Sequence, residues 1–177
     1  MSKIVALAAA AALVVFPGMA HAAAPPCLSP MEFTSLATYA LPSVINGTAQ
    51  RCTPALSPQS FLASQGPALA MRYAEAKPNA WPGAKNAFLK LTGGDQGEAA
   101  SLIRSLPDTQ LQQLVDAAIA AKLGESLPVE RCGSIDRLLK LLSPLPSETT
   151  AEIVMLAVGL GAAAGQGRLG KISVCAA

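Results

Sequence analysis

Proline and glycine interrupt the chain at intervals that leave room for helices of ordinary length. The sequence has 14 prolines and 14 glycines in 177 residues. Between these breaks, apolar residues recur three and four positions apart, the spacing of one face of an α-helix. No run of four to eight residues alternates clearly between polar and apolar, and aromatic residues are sparse. The pattern predicts an all-α fold, a single compact domain of about six or seven helices.

Two similar phrases open the first two predicted helices. Leu28-Ser29-Pro30 and Leu56-Ser57-Pro58 both place a serine where it can cap a helix, followed by a proline at the first helical position. The first helix is expected to run from about Pro30 to Thr48. Its apolar stripe keeps its phase across Pro42, which favours one kinked helix over two short ones.

After the first helix, further breaks divide the middle of the chain into five predicted helices, the second helix and four others, identified by their apolar spacing and by capping residues at their ends. These are Pro58–Lys77 with a bend at Gly66-Pro67 and a stop at Pro78; a helix opened by Trp81-Pro82 and closed by Thr92-Gly93-Gly94; a short helix with Asp95 and Glu98 in its first turn; a helix from Leu106-Pro107-Asp108 to Lys122 and Gly124; and a short helix capped by Ser134 and ended by Pro144.

The stretch EIVMLAVGLGAAAGQGRLG, residues 152–170, is open to three interpretations. Gly159, Gly161 and Ala164 fit the G-x-G-x-x-A pattern of a dinucleotide-binding turn, which also needs a second strand with an acidic residue about twenty positions on. Only sixteen residues follow Gly161, and none is acidic. A membrane span needs about twenty apolar residues, and Ile153–Ala164 has twelve.

The third interpretation, a helix of the core, accounts for this stretch best. Thr149 and Glu152 have the spacing of a capping box. The helix that follows is apolar on every side, which is typical of a helix surrounded by neighbours. The sequence therefore predicts the central packing helix of the domain here, followed by a loose Gly-rich C-terminal tail.

The first 22 residues have the organisation of a secretory signal peptide. Lys3 precedes thirteen apolar residues, Ile4–Phe16, which Pro17-Gly18 ends. Ala20-His21-Ala22 then offers small residues at the two positions that a signal peptidase reads. Cleavage after Ala22 would leave 155 residues, 23–177, as a single helical domain. The Ala-rich leader is typical of bacterial export, so we expect a periplasmic or secreted protein with no stable membrane span.

Cleavage would also remove His21, the only histidine. The remaining chain then lacks an imidazole for general-base catalysis or metal binding. It would carry 12 basic and 11 acidic side chains, a net charge of +1, with no basic block of the kind that binds nucleic acid. We therefore predict no catalytic, cofactor-binding or metal-binding residue. Asp95 and Glu98 are interpreted as helix-capping acids, and Trp81 as a core anchor.

Four cysteines, Cys27, Cys52, Cys132 and Cys175, indicate two disulfides in an exported chain. A first helix of about nineteen residues would be about 28 Å long. It would hold Cys27 and Cys52 at opposite ends, whereas a disulfide needs Cα atoms within about 7 Å. Against this, residues 132–175 resemble a helical hairpin whose ends would meet, and that pairing would leave Cys27 to Cys52. The pairing remains open, and we favour Cys52 with Cys132 and Cys27 with Cys175.

These observations favour a small exported protein that acts without catalysis, through contacts with an unknown protein partner or as an envelope accessory factor. The alternative is a carrier that binds a small apolar ligand between its helices. An enzyme that uses carboxylates or basic side chains alone is a third and weaker interpretation. An exposed apolar patch would favour the first function, an internal cavity the second, and converging carboxylates in a cleft the third.

The signal peptide and the disulfides can be tested together by intact mass. Protein purified from the periplasm of an expressing bacterium should lack residues 1–22. Alkylation should add no mass before reduction and four alkyl groups after it. A pair of thiols that reacts without reduction would contradict the structural disulfides and would reopen redox or metal chemistry.

Overall fold

The computed structural model describes residues 27–92, 98–163 and 173–175. Most of these residues are helical, and the predicted all-α class is confirmed. The eight α-helices of the described residues are α1 (Pro30–Cys52), α2 (Phe61–Ser64), α3 (Gly66–Ala74), α4 (Lys77–Leu91), α5 (Glu98–Ser105), α6 (Asp108–Ser126), α7 (Cys132–Leu142) and α8 (Ser147–Ala163). Thr53–Ala55 and Val129–Arg131 form 3-10 turns, and the two short strands are β1 (Cys27–Leu28) and β2 (Ser173–Val174).

The first helix is continuous through Pro42, as predicted, and extends to Cys52. Ser29 caps it, and the cap is reciprocal. The Glu32 backbone N–H donates to Ser29 Oγ over 3.2 Å, and the Ser29 N–H donates to Glu32 Oε2 over 2.7 Å. This capping box satisfies two of the backbone donors that a helix start leaves unpaired.

Helix α1 lies at the centre of the fold and is packed against α3, α4, α6 and α8. Three clusters of buried apolar residues surround it. One lies between its C-terminal half, α2, α3 and α7, the second between α1, α4 and α6, and the third between its N-terminal end, α4 and α8. Their main buried side chains are Ile45, Leu62 and Tyr73 in the first, Tyr39, Trp81 and Leu111 in the second, and Leu28 and Phe33 in the third.

The disulfides are Cys27–Cys175 and Cys52–Cys132, the pairing favoured from the sequence. Their Cα atoms are 5.0 and 5.5 Å apart. The first bond joins Cys27, the first residue of β1, to Cys175, which follows β2. The two strands are parallel, and Cys27 is paired with Ser173. The sequence indicated an extended piece at residues 171–175 and no partner for it. That partner is β1, which is too short to show alternation.

Several predicted helix ends are wrong, and for Pro78 the reason is that proline is tolerated in the first turn of a helix. Pro78 does not stop a helix; it lies in the first turn of α4, which begins four residues before Trp81. Pro82 lies inside α4, where Trp81 and Ala84 are buried in the cluster with α1 and α6. The helix predicted at Pro58 begins at Phe61, with Ser60 rather than Ser57 as its cap.

The predictions for the last two helices also need correction. Helix α7 begins at Cys132 rather than after Ser134. Helix α8 begins at Ser147, so Thr149 and Glu152 already lie inside it and do not form the predicted capping box. The central helix of the fold is α1, and one side of α8 is exposed. Gly93, Gly94, Asp95 and the tail at residues 164–172 lie outside the described residues.

Gly83 is required where α4 crosses α1. A Cβ atom placed on Gly83 would lie 2.6 Å from Ser35 Cβ, and closer still to Ser35 Oγ. Ser35 Oγ can rotate away, but Ser35 Cβ cannot move far because it is bonded directly to the backbone of the central helix. The absence of a side chain at Gly83 therefore sets how closely the two helices approach.

We predict that Gly83→Ala lowers the free energy of unfolding by about 1–3 kcal/mol, the usual cost of overpacking. Gly159→Ala in α8 is the matched control, since a Cβ there would have no neighbour within 4 Å. It should be neutral or stabilising by up to about 1 kcal/mol, because alanine favours helix over glycine. Urea denaturation measures both. Ser35→Gly should partly rescue Gly83→Ala, and equal effects of the two alanines would contradict the close approach.

Candidate interaction surface

The outer side of α8 carries a row of exposed apolar side chains. Ile153, Leu156 and Leu160 are 40%, 56% and 72% exposed. With the exposed Ala157 they are spaced three and four residues apart, so they share one face of the helix. Helix α8 contains no basic residue, and its acidic residues are confined to its first two turns. We call Ile153, Leu156, Ala157 and Leu160 the α8 stripe.

The opposite side of α8 fixes the helix on the core. Val154, Met155 and Val158 pack against the buried cluster at the start of α1, and Ala151 is buried in the cluster at its other half. The helix therefore runs antiparallel to α1. Near its beginning, the buried hydroxyls of Thr150 and Tyr73 lie 2.9 Å apart in a hydrogen bond. The α8 stripe is consequently held in a fixed position.

Helix α7 presents a second outward face, which is apolar and basic. Leu138 and Leu141 are 53% and 70% exposed, and Arg137 and Lys140 are exposed beside them. These four side chains are neighbours at spacings of three and four residues. We call them the α7 face.

Two contacts attach the other side of α7 to the fold. Its first residue, Cys132, is bonded to the last residue of α1. One turn later Asp136 Oδ1 accepts the backbone N–H of Leu62 over 2.6 Å, which satisfies a donor in the first turn of α2. The orientation of the α7 face is therefore fixed as well.

One cleft lies between α3 and the beginning of α8 and has a volume of about 490 Å³. Arg72, Glu75, Asn79 and Glu148 are among its lining residues. The guanidinium of Arg72 donates to the Ser143 carbonyl and lies 5.5 Å from the centre of the Tyr73 ring. Both glutamates are exposed, unlike the buried carboxyl that a general acid near neutral pH typically requires.

A second cleft of about 360 Å³ lies between the end of α1 and helices α2 and α3. Apolar residues predominate in its lining: Ala49, Leu56, Pro58, Leu62, Ala63 and Pro67, with Gln50 and Thr53 at one side. Leu62 forms part of its wall from the buried core, whereas Pro58, Ala63 and Pro67 are exposed.

A polar cluster connects α1, α4 and α6. Lys77 Nζ donates to both carboxylate oxygens of Asp116, over 2.9 and 2.8 Å, and Ser43 Oγ donates to the same carboxylate over 3.0 Å. Lys77 Nζ also lies 4.2 Å from the centre of the Tyr39 ring. Burial, and secondarily Asp116, raises the pKa of the Tyr39 hydroxyl. The cluster therefore joins three helices, with Ser43 on α1, Lys77 on α4 and Asp116 on α6.

Trp81 is buried, as expected for a core anchor, and its ring centre lies 5.1 Å from that of Tyr39. Its indole Nε1 has no hydrogen-bond partner of normal geometry among the described residues. It nevertheless faces Asp108, which forms an ion pair with Lys85 over 2.7 Å. Lys85 in the first place, and the Trp81 indole in the second, lower the pKa of Asp108.

The glycines of the dinucleotide-binding pattern do not form a site. Gly159 and Gly161 lie inside α8, so they do not form a strand-to-helix turn. Arg51 donates to the Leu127 carbonyl, and Arg104 lies on α5. Within the described ranges, no three acidic, cysteine or histidine side chains are grouped as metal ligands would be. No helix there combines the length and hydrophobicity that crossing a bilayer requires.

Comparison of the chain with protein-family models, with curated proteins and with solved structures found no match. Its function is therefore inferred from the surfaces and clefts described above.

The capping box at the start of α1 makes folding pH-dependent. The Ser29 backbone N–H, followed by the side chains of Lys90 and Ser29, lowers the pKa of Glu32. Lys90 Nζ lies 3.0 Å from Glu32 Oε2. Because the folded-state pKa is below the unfolded value, ionised Glu32 stabilises the fold above about pH 4.5. That contribution is lost as the pH falls through the folded-state pKa.

We predict that Glu32→Gln lowers the free energy of unfolding at pH 7 by about 0.3–1 kcal/mol, the typical value of a negative charge at a helix N-terminus, because glutamine can still accept the capping hydrogen bond. The difference from the unmodified protein should shrink as the pH is lowered from 5 towards 3. Lys90→Gln should have a smaller effect, since Lys90 is not the main cause of the shift. Denaturation at several pH values measures this, and a pH-independent difference would contradict the role of the charge.

Proposed function

We propose that this is an exported, periplasmic or secreted protein without catalytic activity, which acts by binding another protein through the α8 stripe. Its two disulfides suit an oxidising compartment, where such bonds form and persist. The signal-peptide pattern of residues 1–22 supports export, and the absence of histidine from residues 23–177 argues against the common acid–base mechanisms.

The α8 stripe is the observation that carries the proposal. Helices at the surface of a soluble protein normally turn polar residues to the solvent. In α8 the outward positions 153, 156, 157 and 160 are all aliphatic, and three of them are large. A contiguous exposed apolar patch of this kind marks a binding surface more often than it marks an ordinary solvated face.

The proposal predicts site-specific cross-linking. A photo-reactive side chain at Leu156 or Leu160 should give a discrete protein adduct in intact cells, whereas one at Gln113, exposed on α6, should not. Leu160→Glu should reduce the adduct formed at Leu156, since it introduces a charge into the stripe. Thermal unfolding should stay unchanged because Leu160 is 72% exposed. Equal labelling at Leu156 and Gln113, or no protein adduct at all, would overturn the proposal.

A carrier of a small apolar ligand is the second candidate, and the 360 Å³ cleft favours it. Its volume falls at the small end of the range for ligand sites, and its lining is largely aliphatic. Native mass spectrometry of protein purified without detergent distinguishes the two functions. A co-purifying small mass that Ala63→Trp removes, by filling the cleft, would support the carrier. A protein free of any small ligand, whether a bare dimer or bound to another protein, together with an α8 adduct would support the interaction.

A further inference from the structure

The α7 face and the acidic end of α8 carry opposite charges. Arg137 and Lys140 are the exposed charges of the α7 face; the one acidic residue of that helix, Asp136, is half-buried and bonded to α2. On α8, Glu148 and Glu152 are exposed and precede Leu156 and Leu160 at successive four-residue steps. The four charges form no ion pair among the described residues, where the paired lysines are Lys77, Lys85 and Lys90.

The two surfaces also match in their apolar parts. Leu138 and Leu141 lie beside the basic residues of α7, and the α8 stripe adjoins the acidic residues of α8. Each surface therefore combines a short aliphatic row with charges of one sign. Apolar contact with opposite charges beside it is the arrangement that gives an interface both affinity and a defined partner.

Within one chain, α7 and the beginning of α8 both contact the cluster at the C-terminal half of α1, through Leu139 and Ala151, whereas the exposed side chains of the two surfaces lie outside that cluster. Cys132 and Asp136 fix α7 to the end of α1 and to α2, whereas α8 packs along α1 towards its beginning. Closing the α7 face onto the α8 stripe of the same molecule would require breaking these attachments. A second molecule can supply the complementary surface without any such change.

We propose that the partner of the α8 stripe is a second copy of this chain, whose α7 face covers it. A two-fold axis would repeat the contact, with α7 of each copy on α8 of the other, as in other closed symmetric dimers. This inference rests on the proposed function and specifies its partner. It commits to the charged residues of α7 and α8 as the determinants of the pairing.

Charge reversal tests the proposal. One variant carries Glu148→Lys and Glu152→Lys, and a second carries Arg137→Glu and Lys140→Glu. In a homodimer of either variant, α7 of each copy would face an α8 of the same charge. Sedimentation equilibrium should show a dimer for the unmodified protein and a dissociation constant raised at least about tenfold for each variant. Mixing the two variants should restore a heterodimer, because every contact then joins opposite charges again.

Two controls separate charge pairing from misfolding. Gln113→Lys adds a charge on α6 and should leave the dissociation constant unchanged. Glu152→Lys alone avoids the first turn of α8, where Glu148 accepts a hydrogen bond from Ser147; it should weaken the dimer while the thermal unfolding midpoint stays within a few degrees.

The outcomes distinguish this proposal from the function on which it rests. A monomer at every concentration, or a dimer that neither charge variant weakens, would overturn the self-pairing. If the α8 cross-link then contains a different protein, the interaction function survives with another partner. A cross-linked species of twice the chain mass, lost in both variants and restored in their mixture, supports both.

Discussion

Both ends of the central helix are covalently attached to the C-terminal half of the chain. Cys27 precedes α1 by three residues and is bonded to Cys175, and Cys52 ends the helix and is bonded to Cys132. The bonds span 148 and 80 residues. In the chain-entropy account each bond raises the free energy of the unfolded chain by about 4–5 kcal/mol, because it restricts the conformations of that chain. The other helices pack around an axis whose two ends are fixed in this way.

The pairing of the cysteines was only partly accessible from the sequence, because helix length disfavours Cys27 with Cys52 but does not choose between the other two pairings. A helix through Pro42 separates Cys27 from Cys52 by more than a disulfide can span. The residues at which helices begin were harder to predict from the sequence. A proline such as Pro78 can follow the end of one helix or lie in the first turn of the next, and the sequence does not show which. Trp81 and Ala84, buried beside α1, carry α4 across Pro82, and this tertiary contact has no local signal.

The prediction that α8 is the central helix of the fold was wrong for a related physical reason. A segment that is apolar on all sides is expected to be covered on all sides, and the sequence does not reveal what covers it. One side of α8 is covered by α1, and the stripe with Leu156 and Leu160 is exposed. The sequence does not predict the polar clusters, because their members are far apart in the chain. Lys77 and Ser43 meet Asp116 across 39 and 73 positions.

The way in which α7 and α8 are anchored bears directly on their capacity to bind. Binding loses free energy when it must order mobile side chains and segments. Cys132, Asp136 and the Thr150–Tyr73 hydrogen bond already fix the two helices before any partner arrives. Fully burying a leucine contributes about 1.5–3 kcal/mol. A surface with only a few exposed leucines therefore gains too little free energy on binding to offset a large cost of ordering. A rigid presentation of the α8 stripe is therefore what would allow so small an apolar surface to hold a partner.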